Sequence, residues 1–112
     1  MSPITTHVLD TARGCPAAGL PLTLEIQREG RWHELAAATT NADGRVANLL
    51  APGALEAARY RITFHTAAYF SAIGTAGFYP WVEVVFDIAA PEQHYHVPLL
   101  LCPFGYSTYR GS

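Results

Sequence analysis

The sequence predicts an all-β domain, an antiparallel β-sandwich of seven to eight short strands with one short helix. Three observations support this fold class. Apolar and polar side chains alternate over several short runs, turn residues separate these runs, and a single run has the spacing of a helix. The 112 residues suit one domain, spanning residues 1–112, and neither a repeat nor a linker divides them.

The first strand is predicted over residues 5–10, which are rich in β-branched side chains and are followed by Gly-Cys-Pro at residues 14–16. Successive side chains of a strand point to opposite faces. His7 is therefore expected to share its face with Thr5 and Leu9.

A β-hairpin is predicted next. Residues 20–29 alternate between apolar and polar side chains, and Glu29-Gly30 offers a turn into a partner strand over residues 31–35. The inward side chains are apolar: Leu22, Leu24 and Ile26.

A second tight turn is predicted at Asn41-Ala42-Asp43-Gly44, because Asn and Asp bond their own backbone and glycine accepts a positive φ. Arg45 follows this turn directly.

The middle of the chain is expected to form two more strands and the helix. Residues 59–65 and 81–88 alternate between apolar and polar side chains, which predicts a strand over each range. Between them, Thr66 is expected to cap a helix of one or two turns over residues 67–73, and Gly74 is expected to end it. The apolar side chains of that helix share one face: Tyr69, Phe70 and Ile73.

The last two strands are predicted over residues 94–102 and 106–111, joined by a turn at Pro103-Phe104-Gly105. The period of two divides the first of them into a core face, Tyr95, Val97, Leu99 and Leu101, and an opposite face, His94, His96, Pro98 and Leu100. Pro98 has no N–H to donate to a neighbouring strand. A bulge or an unpaired side is therefore expected near His96.

Composition narrows the classes of function. Hydrophobic residues make up 50% of the chain and charged residues 14%, against about 25% charged residues in an ordinary domain. Part of the surface is therefore expected to be covered in an oligomer. The net charge is −2 and the seven basic residues, all arginines, are scattered along the chain. This distribution argues against nucleic-acid binding.

No apolar run approaches the roughly 18 residues that cross a bilayer, and the first residues lack the basic and apolar regions of a signal peptide. These features predict a cytoplasmic protein with no membrane partner. Cys15 and Cys102 are far apart and form no CxxC motif, which favours a reduced, structural role over a disulfide.

Three histidines and one arginine are the candidates for chemistry. His94 and His96 lie two apart on one strand face and, with His7, could supply zinc ligands, although a solvated His94 is the favoured alternative. His96 shares its face with apolar residues, so it is expected to be partly covered and able to exchange protons near neutral pH. A hydrogen-bonded interface histidine is the alternative. Arg45 suits a flat, oxygen-rich ligand, or is a solvated loop residue.

Four ordered motifs resemble those of the transthyretin-related 5-hydroxyisourate hydrolases, and together they span nearly the whole chain. The motifs are Thr6-His7-Val8-Leu9-Asp10-Thr11, Thr40-Asn41-Ala42-Asp43-Gly44-Arg45, Phe78-Tyr79-Pro80-Trp81-Val82-Glu83-Val84-Val85-Phe86, and the terminal block from His96-Val97-Pro98-Leu99-Leu100-Leu101 to Tyr109-Arg110-Gly111-Ser112. The resemblance implies a transthyretin-like β-sandwich of two packed sheets. It also implies a homotetramer that is built as a dimer of dimers.

The resemblance further implies an activity. Members of the family act on 5-hydroxyisourate, which urate oxidation produces. They hydrolyse its N1–C6 amide bond to give 2-oxo-4-hydroxy-4-carboxy-5-ureidoimidazoline. No metal or organic cofactor is implied. The site would lie in the channel where the two dimers meet. The implied catalytic residues are His7, Arg45, His96 and Ser112, and the implied substrate-binding residues are His7, Arg45, Tyr109 and Arg110.

By this resemblance, a histidine deprotonates the attacking water, and Arg45 binds ring carbonyls and offsets the developing oxyanion charge. Either His7 or His96 could be that base. The terminal residues would orient the ring, and Arg110 would either contact the ligand or hold the C-terminal segment in place.

Two other classes of function compete with the hydrolase. The first is a transthyretin-type carrier that binds an apolar hormone in the same channel without catalysis. Such carriers differ at the histidines and lack the Tyr-Arg-Gly-Ser ending that residues 109–112 provide here. The second is a structural or adhesion module with no ligand, in which the apolar surface only serves packing.

Overall fold

The computed structural model describes residues 2–112 and contains nine β-strands and one α-helix in that range. The elements are β1 (Ile4–Asp10), β2 (Cys15–Pro16), β3 (Pro21–Arg28), β4 (Arg31–Thr39), β5 (Arg45–Val46), β6 (Ala58–Phe64), α1 (Thr66–Ala72), β7 (Val82–Ile88), β8 (Tyr95–Cys102) and β9 (Gly105–Thr108). The predicted strands are all present. The two additional strands, β2 and β5, have two residues each, which is too short for a periodic pattern to reveal.

The strands form two sheets, so the predicted β-sandwich is confirmed. One sheet has the order β2-β1-β8-β9, with β5 also paired to β1, and the other has the order β4-β3-β6-β7. Among residues 2–112, every strand pairing is antiparallel except that of β1 with β8, which is parallel from Ile4↔Tyr95 to Asp10↔Leu101. The first strand of the chain therefore lies beside the penultimate one.

The core lies between the two sheets and is built from alternate side chains of their strands, including the inward faces predicted for residues 20–29 and 94–102. Ten of these side chains are at most 1% exposed: Ile4, Val8, Leu22, Leu24, Ile26, Tyr60, Ile62, Phe64, Leu99 and Leu101. Burial of each such side chain contributes about 1.5–3 kcal/mol to the free energy of unfolding. Because β1 and β8 bury one face each, their other faces remain available at the outer surface of the first sheet.

The β3–β4 hairpin is confirmed, and its turn has the predicted chemistry. Glu29 and Gly30 have φ angles of 53° and 73°. Positive φ at both central residues is the geometry that matches the twist of two antiparallel strands. The partner strand, β4, continues to Thr39 because it pairs along the full length of β3.

The helix begins at Thr66 and not after it, so the predicted capping role of Thr66 is wrong. His65 is the N-cap residue, and no side chain caps the helix. The hydroxyl of Thr66 is turned instead toward the backbone of a neighbouring loop, where it donates to the carbonyl oxygen of Tyr79 at 3.4 Å. The apolar face of the helix is buried as predicted. On that face the hydroxyl of Tyr69 donates to the buried carboxylate of Asp10 at 2.7 Å, which ties α1 to β1.

Two further findings concern the cysteines and the membrane. Cys15 and Cys102 are free thiols in the structure, as expected from their separation in the sequence. Between residues 2 and 112 there is no helix with the length and apolar character that crossing a membrane requires.

Gly44 is packed tightly against β1 and sets the position of the strand that follows it. Its carbonyl accepts the backbone N–H of Val8 at 2.8 Å, its φ is 73°, and a Cβ there would clash with the carbonyl oxygen of Val8.

We expect Gly44→Ala to lower the free energy of unfolding by about 3 kcal/mol. The control is Gly53→Ala, where φ is 77° but nothing lies within 4 Å of the added methyl group. Its expected cost is about 1 kcal/mol. Denaturant unfolding measures both, and equal losses would contradict the packing argument.

Candidate functional site

The candidate site lies on the outer face of the first sheet, where β1, β5 and β8 are neighbours. His7 pairs with Arg45 of β5 on one side and with Pro98 of β8 on the other, and Thr5 pairs with His96. Paired residues of adjacent strands share a face of the sheet. The register therefore brings His7, Arg45 and His96, which are far apart in the sequence, to one surface. His7 and His96 are half-buried there, whereas Arg45 is exposed.

Arg45 is held in place by the tight turn that precedes it. The side-chain oxygen of Asn41 accepts the backbone N–H groups of Asp43 at 2.9 Å and of Arg45 at 3.0 Å. The backbone N–H of Gly44 closes the turn by donating to the carbonyl of Asn41 at 2.9 Å. An asparagine side chain that accepts hydrogen bonds from the backbone of the residues after it stabilises such turns. The guanidinium of Arg45 therefore starts from a fixed backbone position.

The ring of His96 is held between β1 and the C-terminal segment. Its Nδ1 lies 2.8 Å from the hydroxyl oxygen of Thr5. On the other side, the backbone N–H of Gly111 donates to the carbonyl of His96 at 2.8 Å. A Cβ on Gly111 would lie 2.5 Å from Cδ2 of the ring, so glycine lets the segment approach this closely. With Nδ1 turned toward Thr5, the nitrogen that points away from β1 is Nε2.

The same hydroxyl also contacts a third histidine. Oγ1 of Thr5 lies 3.1 Å from Nε2 of His94, which is exposed just before β8 begins. One threonine hydroxyl therefore bridges His94 and His96. His94 is solvated, as the favoured sequence interpretation holds, but it is also joined to the buried part of the cluster.

The surroundings of His96 favour its neutral form. Burial lowers the pKa of His96 from its usual value of 6.5, and the positive charge of Arg45 acts in the same direction, as do His94 and His7. A hydrogen bond to the backbone of Thr5 acts in the opposite direction on this pKa. Burial disfavours the charged imidazolium, and positive neighbours repel it. A neutral imidazole at neutral pH can accept a proton from water.

The unpaired side expected at Pro98 is confirmed. Pairing between β8 and β9 stops at Leu99↔Thr108 and resumes at an isolated bridge between His96 and Gly111. Backbone groups of a strand point alternately to its two neighbours, so the backbone of Pro98, like that of His96, faces the C-terminal segment. Pro98 has no N–H for that side, and the hydroxyl of Thr108 bonds its carbonyl at 2.7 Å.

The residues near the C-terminus separate into two groups. Gly111 is bridged to His96, and the exposed Ser112 follows it in the chain. The guanidinium of Arg110 instead stacks over the ring of Tyr95 at 4.4 Å and donates to the side-chain oxygen of Gln93 at 3.0 Å. Tyr109 is 59% exposed, and with Arg110 it borders a cavity of about 340 Å³ at the edge of the sandwich near β7. The contacts of Arg110 within one chain thus hold the C-terminal segment.

Sequence reasoning missed two parts of the site. It placed Thr5 on the same face as His7 but assigned it no role, and it mentioned Gly111 only as part of a motif. The signal for both is the register of β8 with its two neighbours, which alternation within single strands does not contain. For zinc, residues 2–112 contain no group of three His, Cys, Asp or Glu side chains placed to hold a metal ion.

The comparisons with known proteins agree with this fold. The model of the family described as HIUase/Transthyretin matches residues 4–111. A 5-hydroxyisourate hydrolase of Mus musculus is 50% identical over 113 residues, which cover 99% of this chain and 96% of that protein. The solved structure of 5-hydroxyisourate hydrolase from Klebsiella pneumoniae is 41% identical with a TM-score of 0.86, and both chains are covered to 100%.

A solved structure with bound thyroxine is also similar in fold. Sea bream transthyretin in complex with thyroxine has a TM-score of 0.92 and 37% identity, over 97% of this chain and 94% of that one. Hydrolase and transthyretin structures therefore share one backbone fold with this protein. The family model covers nearly the whole chain. The chain belongs to the HIUase/Transthyretin family.

Proposed function

We propose that this protein hydrolyses 5-hydroxyisourate to 2-oxo-4-hydroxy-4-carboxy-5-ureidoimidazoline, a step of urate breakdown within purine metabolism. The observation that carries the proposal is the meeting of His7, Arg45 and His96 on one sheet face beside the C-terminal segment. The relative from mouse, which is named for this activity, is 50% identical. A histidine whose surroundings favour the neutral form, beside an arginine with a fixed backbone position, suits the hydrolysis of an amide in an oxygen-rich ring.

The alternative, a carrier of an apolar hormone, is supported by the backbone alone. The thyroxine-bound transthyretin has the same fold, so the fold does not distinguish the two functions. The side chains of the site do. An apolar ligand over His7, Arg45 and His96 would remove their polar groups from water without replacing those hydrogen bonds, which costs free energy. A ring with several carbonyl and N–H groups can replace them.

His96 is the water-activating base in this proposal, and His7 and Arg45 bind the substrate. Nδ1 of His96 is bonded to Thr5, so Nε2 takes the proton of the attacking water. The oxygen of that water then bonds to C6, and the carbonyl oxygen becomes an oxyanion beside the guanidinium of Arg45. The C6–N1 bond breaks, and the proton held by Nε2 passes to N1. The carboxylic acid that forms ionises in water.

The C-terminal residues complete the site. In this proposal Ser112, which follows the Gly111 bridged to His96, orients the ring of the substrate. Tyr109, which borders the cavity near β7, is assigned the same role. Arg110 keeps this segment in place through its contacts with Tyr95 and Gln93. No step of this mechanism uses a metal or an organic cofactor.

The active form in this proposal is a homotetramer, a dimer of dimers, with the site in the channel between the dimers. Large apolar side chains are exposed near the edge strands β7 and β9, among them Phe78, Trp81 and Phe104 at 69%, 52% and 72%. Exposed strand edges and apolar surfaces of this kind are typical of subunit interfaces. Sedimentation equilibrium gives the number of chains per particle.

The cytoplasmic location remains a prediction, which fractionation of the source cells checks.

The test of the activity follows the ultraviolet decay of freshly generated 5-hydroxyisourate with and without the protein. The expected result is a decay that accelerates in proportion to protein concentration, above the spontaneous rate. If the folded protein leaves the decay at the spontaneous rate, the hydrolase proposal is wrong. Binding of thyroxine, measured by calorimetry on the same sample, then tests the carrier function.

The environment of His96 makes a prediction about pH. In a nuclear magnetic resonance titration, His96 should titrate below 6.5, because burial and the charge of Arg45 both lower its pKa. The neutral, base-competent form then persists as the pH falls toward that lowered pKa, and kcat is lost only as the pH passes below it. Arg45→Gln should raise the pKa of His96 by removing a positive neighbour. A titration at or above 6.5 in the unsubstituted protein would contradict the mechanism.

A further inference from the structure

We propose that Thr5 and His94 form a reversible proton relay for His96. During the reaction the relay would move the positive charge from the buried part of the site to an exposed imidazole. This inference rests on the proposed function, because it concerns the same site and the same base. It assigns a positioning role to Thr5 and His94, neither of which contacts the substrate in the mechanism above.

The relay rests on two contacts of one hydroxyl group. Oγ1 of Thr5 lies 2.8 Å from Nδ1 of His96 and 3.1 Å from Nε2 of His94, and both distances are within hydrogen-bond range. A hydroxyl has one proton to donate and two lone pairs that accept, so it can donate to one ring while it accepts from the other. When Nδ1 of His96 carries a proton and donates it, the hydroxyl donates to His94. In this arrangement Nε2 of His96 is bare and can act as the base.

The proton movements balance over one turnover. When Nε2 of His96 takes the proton of water, the ring becomes an imidazolium. Its Nδ1 proton passes to the oxygen of Thr5 while the hydroxyl proton of Thr5 passes to Nε2 of His94. The return movement restores both bonds as Nε2 of His96 gives its proton to N1 of the leaving group. No oxidant, reductant or further reactant is needed, and the three side chains end as they began.

The electrostatic environment makes a positive charge less favourable on His96 than on His94, and the relay moves the charge from the first ring to the second. An imidazolium at His96 would be half-buried and would face Arg45 and His7 across the sheet. A buried charge beside a positive neighbour is unfavourable, whereas an exposed charge is stabilised by water. His94 is exposed. Moving the positive charge from His96 to His94 through the hydroxyl of Thr5 therefore takes it away from Arg45, and no backbone has to move.

The fold positions the relay through the parallel pairing of β1 with β8. Thr5 is the register partner of His96, and the backbone N–H of Tyr95 donates to the carbonyl of Pro3 at 2.9 Å where this pairing begins. His94 directly precedes this bond. The three side chains therefore depend on rigid backbone hydrogen bonds, which is the support that a precise hydrogen-bonded chain requires.

The test uses steady-state kinetics of the full-length protein with three variants. Thr5→Val keeps the shape and removes the hydroxyl, and Thr5→Ser keeps the hydroxyl. His94→Asn removes the basic nitrogen that takes up the proton, at an exposed position. We expect kcat to fall by about 10-fold for Thr5→Val and His94→Asn with little change in KM, and Thr5→Ser to retain most of the activity. Circular dichroism confirms that each variant is folded.

A proton inventory separates the relay from a merely structural role. In mixtures of H₂O and D₂O, the rate of the unsubstituted protein should curve with the deuterium fraction because several protons move together. Thr5→Val and His94→Asn should give a straight line, while Thr5→Ser should remain curved. A straight line for the unsubstituted protein, or an unchanged kcat in either His94→Asn or folded Thr5→Val, would overturn the relay. If the unsubstituted protein does not accelerate the decay at all, the proposed function fails instead.

Discussion

His96→Asn lowers kcat/KM for 5-hydroxyisourate by about 10²–10⁴-fold in our expectation, which is the range that a positioned general base contributes. Asparagine can still bond Thr5 through its side-chain amide, so the contact with β1 is kept. It has no nitrogen that accepts a proton near neutral pH, so the attacking water is no longer activated. The variant should therefore lose rate while binding the substrate and folding as before.

The measurement compares the protein-dependent decay rate of 5-hydroxyisourate between the two proteins. His33→Asn is the matched control, because His33 is an exposed histidine on β4 of the other sheet. It should keep the full rate. If His96→Asn is folded and also keeps the full rate, His96 is not the base, and His7 becomes the candidate.

Gly111→Val should lower kcat by about 100-fold without a comparable loss of stability. A Cβ at residue 111 would lie 2.5 Å from Cδ2 of His96, closer than carbon atoms pack, so the imidazole has to swing away. Its Nδ1 then loses the 2.8 Å contact with Thr5. A misplacement of about 1 Å at a reacting group is sufficient to cost about 10²-fold in rate. The segment itself is at the surface, so the fold has little packing to lose.

Gly105→Ala is the matched control for that variant. Gly105 lies in the same terminal region, but a Cβ there would meet only Sγ of Cys102, at an ordinary 3.7 Å. Its rate should match that of the unsubstituted protein. The position of the His96 resonances in nuclear magnetic resonance spectra adds an independent measurement: they should move in Gly111→Val and stay in place in Gly105→Ala. Unchanged resonances together with unchanged kcat in Gly111→Val would contradict the geometry described above.

Local features of the fold were predictable because they depend on neighbouring residues. The alternation of residues 20–29 and the glycine after Glu29 predicted the first hairpin, which the structure confirms. The missing N–H of Pro98 predicted the gap in pairing beside His96. Prediction failed where a distant contact competes with a local signal. Thr66 is a good capping residue by type, yet its hydroxyl bonds the backbone of Tyr79 instead.

The candidate residues were predictable in part. Residue type and position make His96, His7 and Arg45 candidates, and the resemblance to a family implies that they meet in one site. The sequence allows two roles for Arg110, and its stacking on Tyr95 supports the one in which it holds the C-terminal segment. Thr5 was missed, because a threonine in a strand is ordinary until the histidines beside it are known.

The sequence by itself determined the fold class, the two alternating faces of each longer strand and the chemical types present at the site, since all of these follow from local periodicity and side-chain chemistry. Only the tertiary structure decided which strands are neighbours. The parallel pairing of β1 with β8 joins Thr5 to His96 across 91 positions of the chain. Alternation within a strand is the same whatever lies beside it, so the partners of a strand, and with them the bridge from His94 through Thr5 to His96, are determined by the packing of the whole chain.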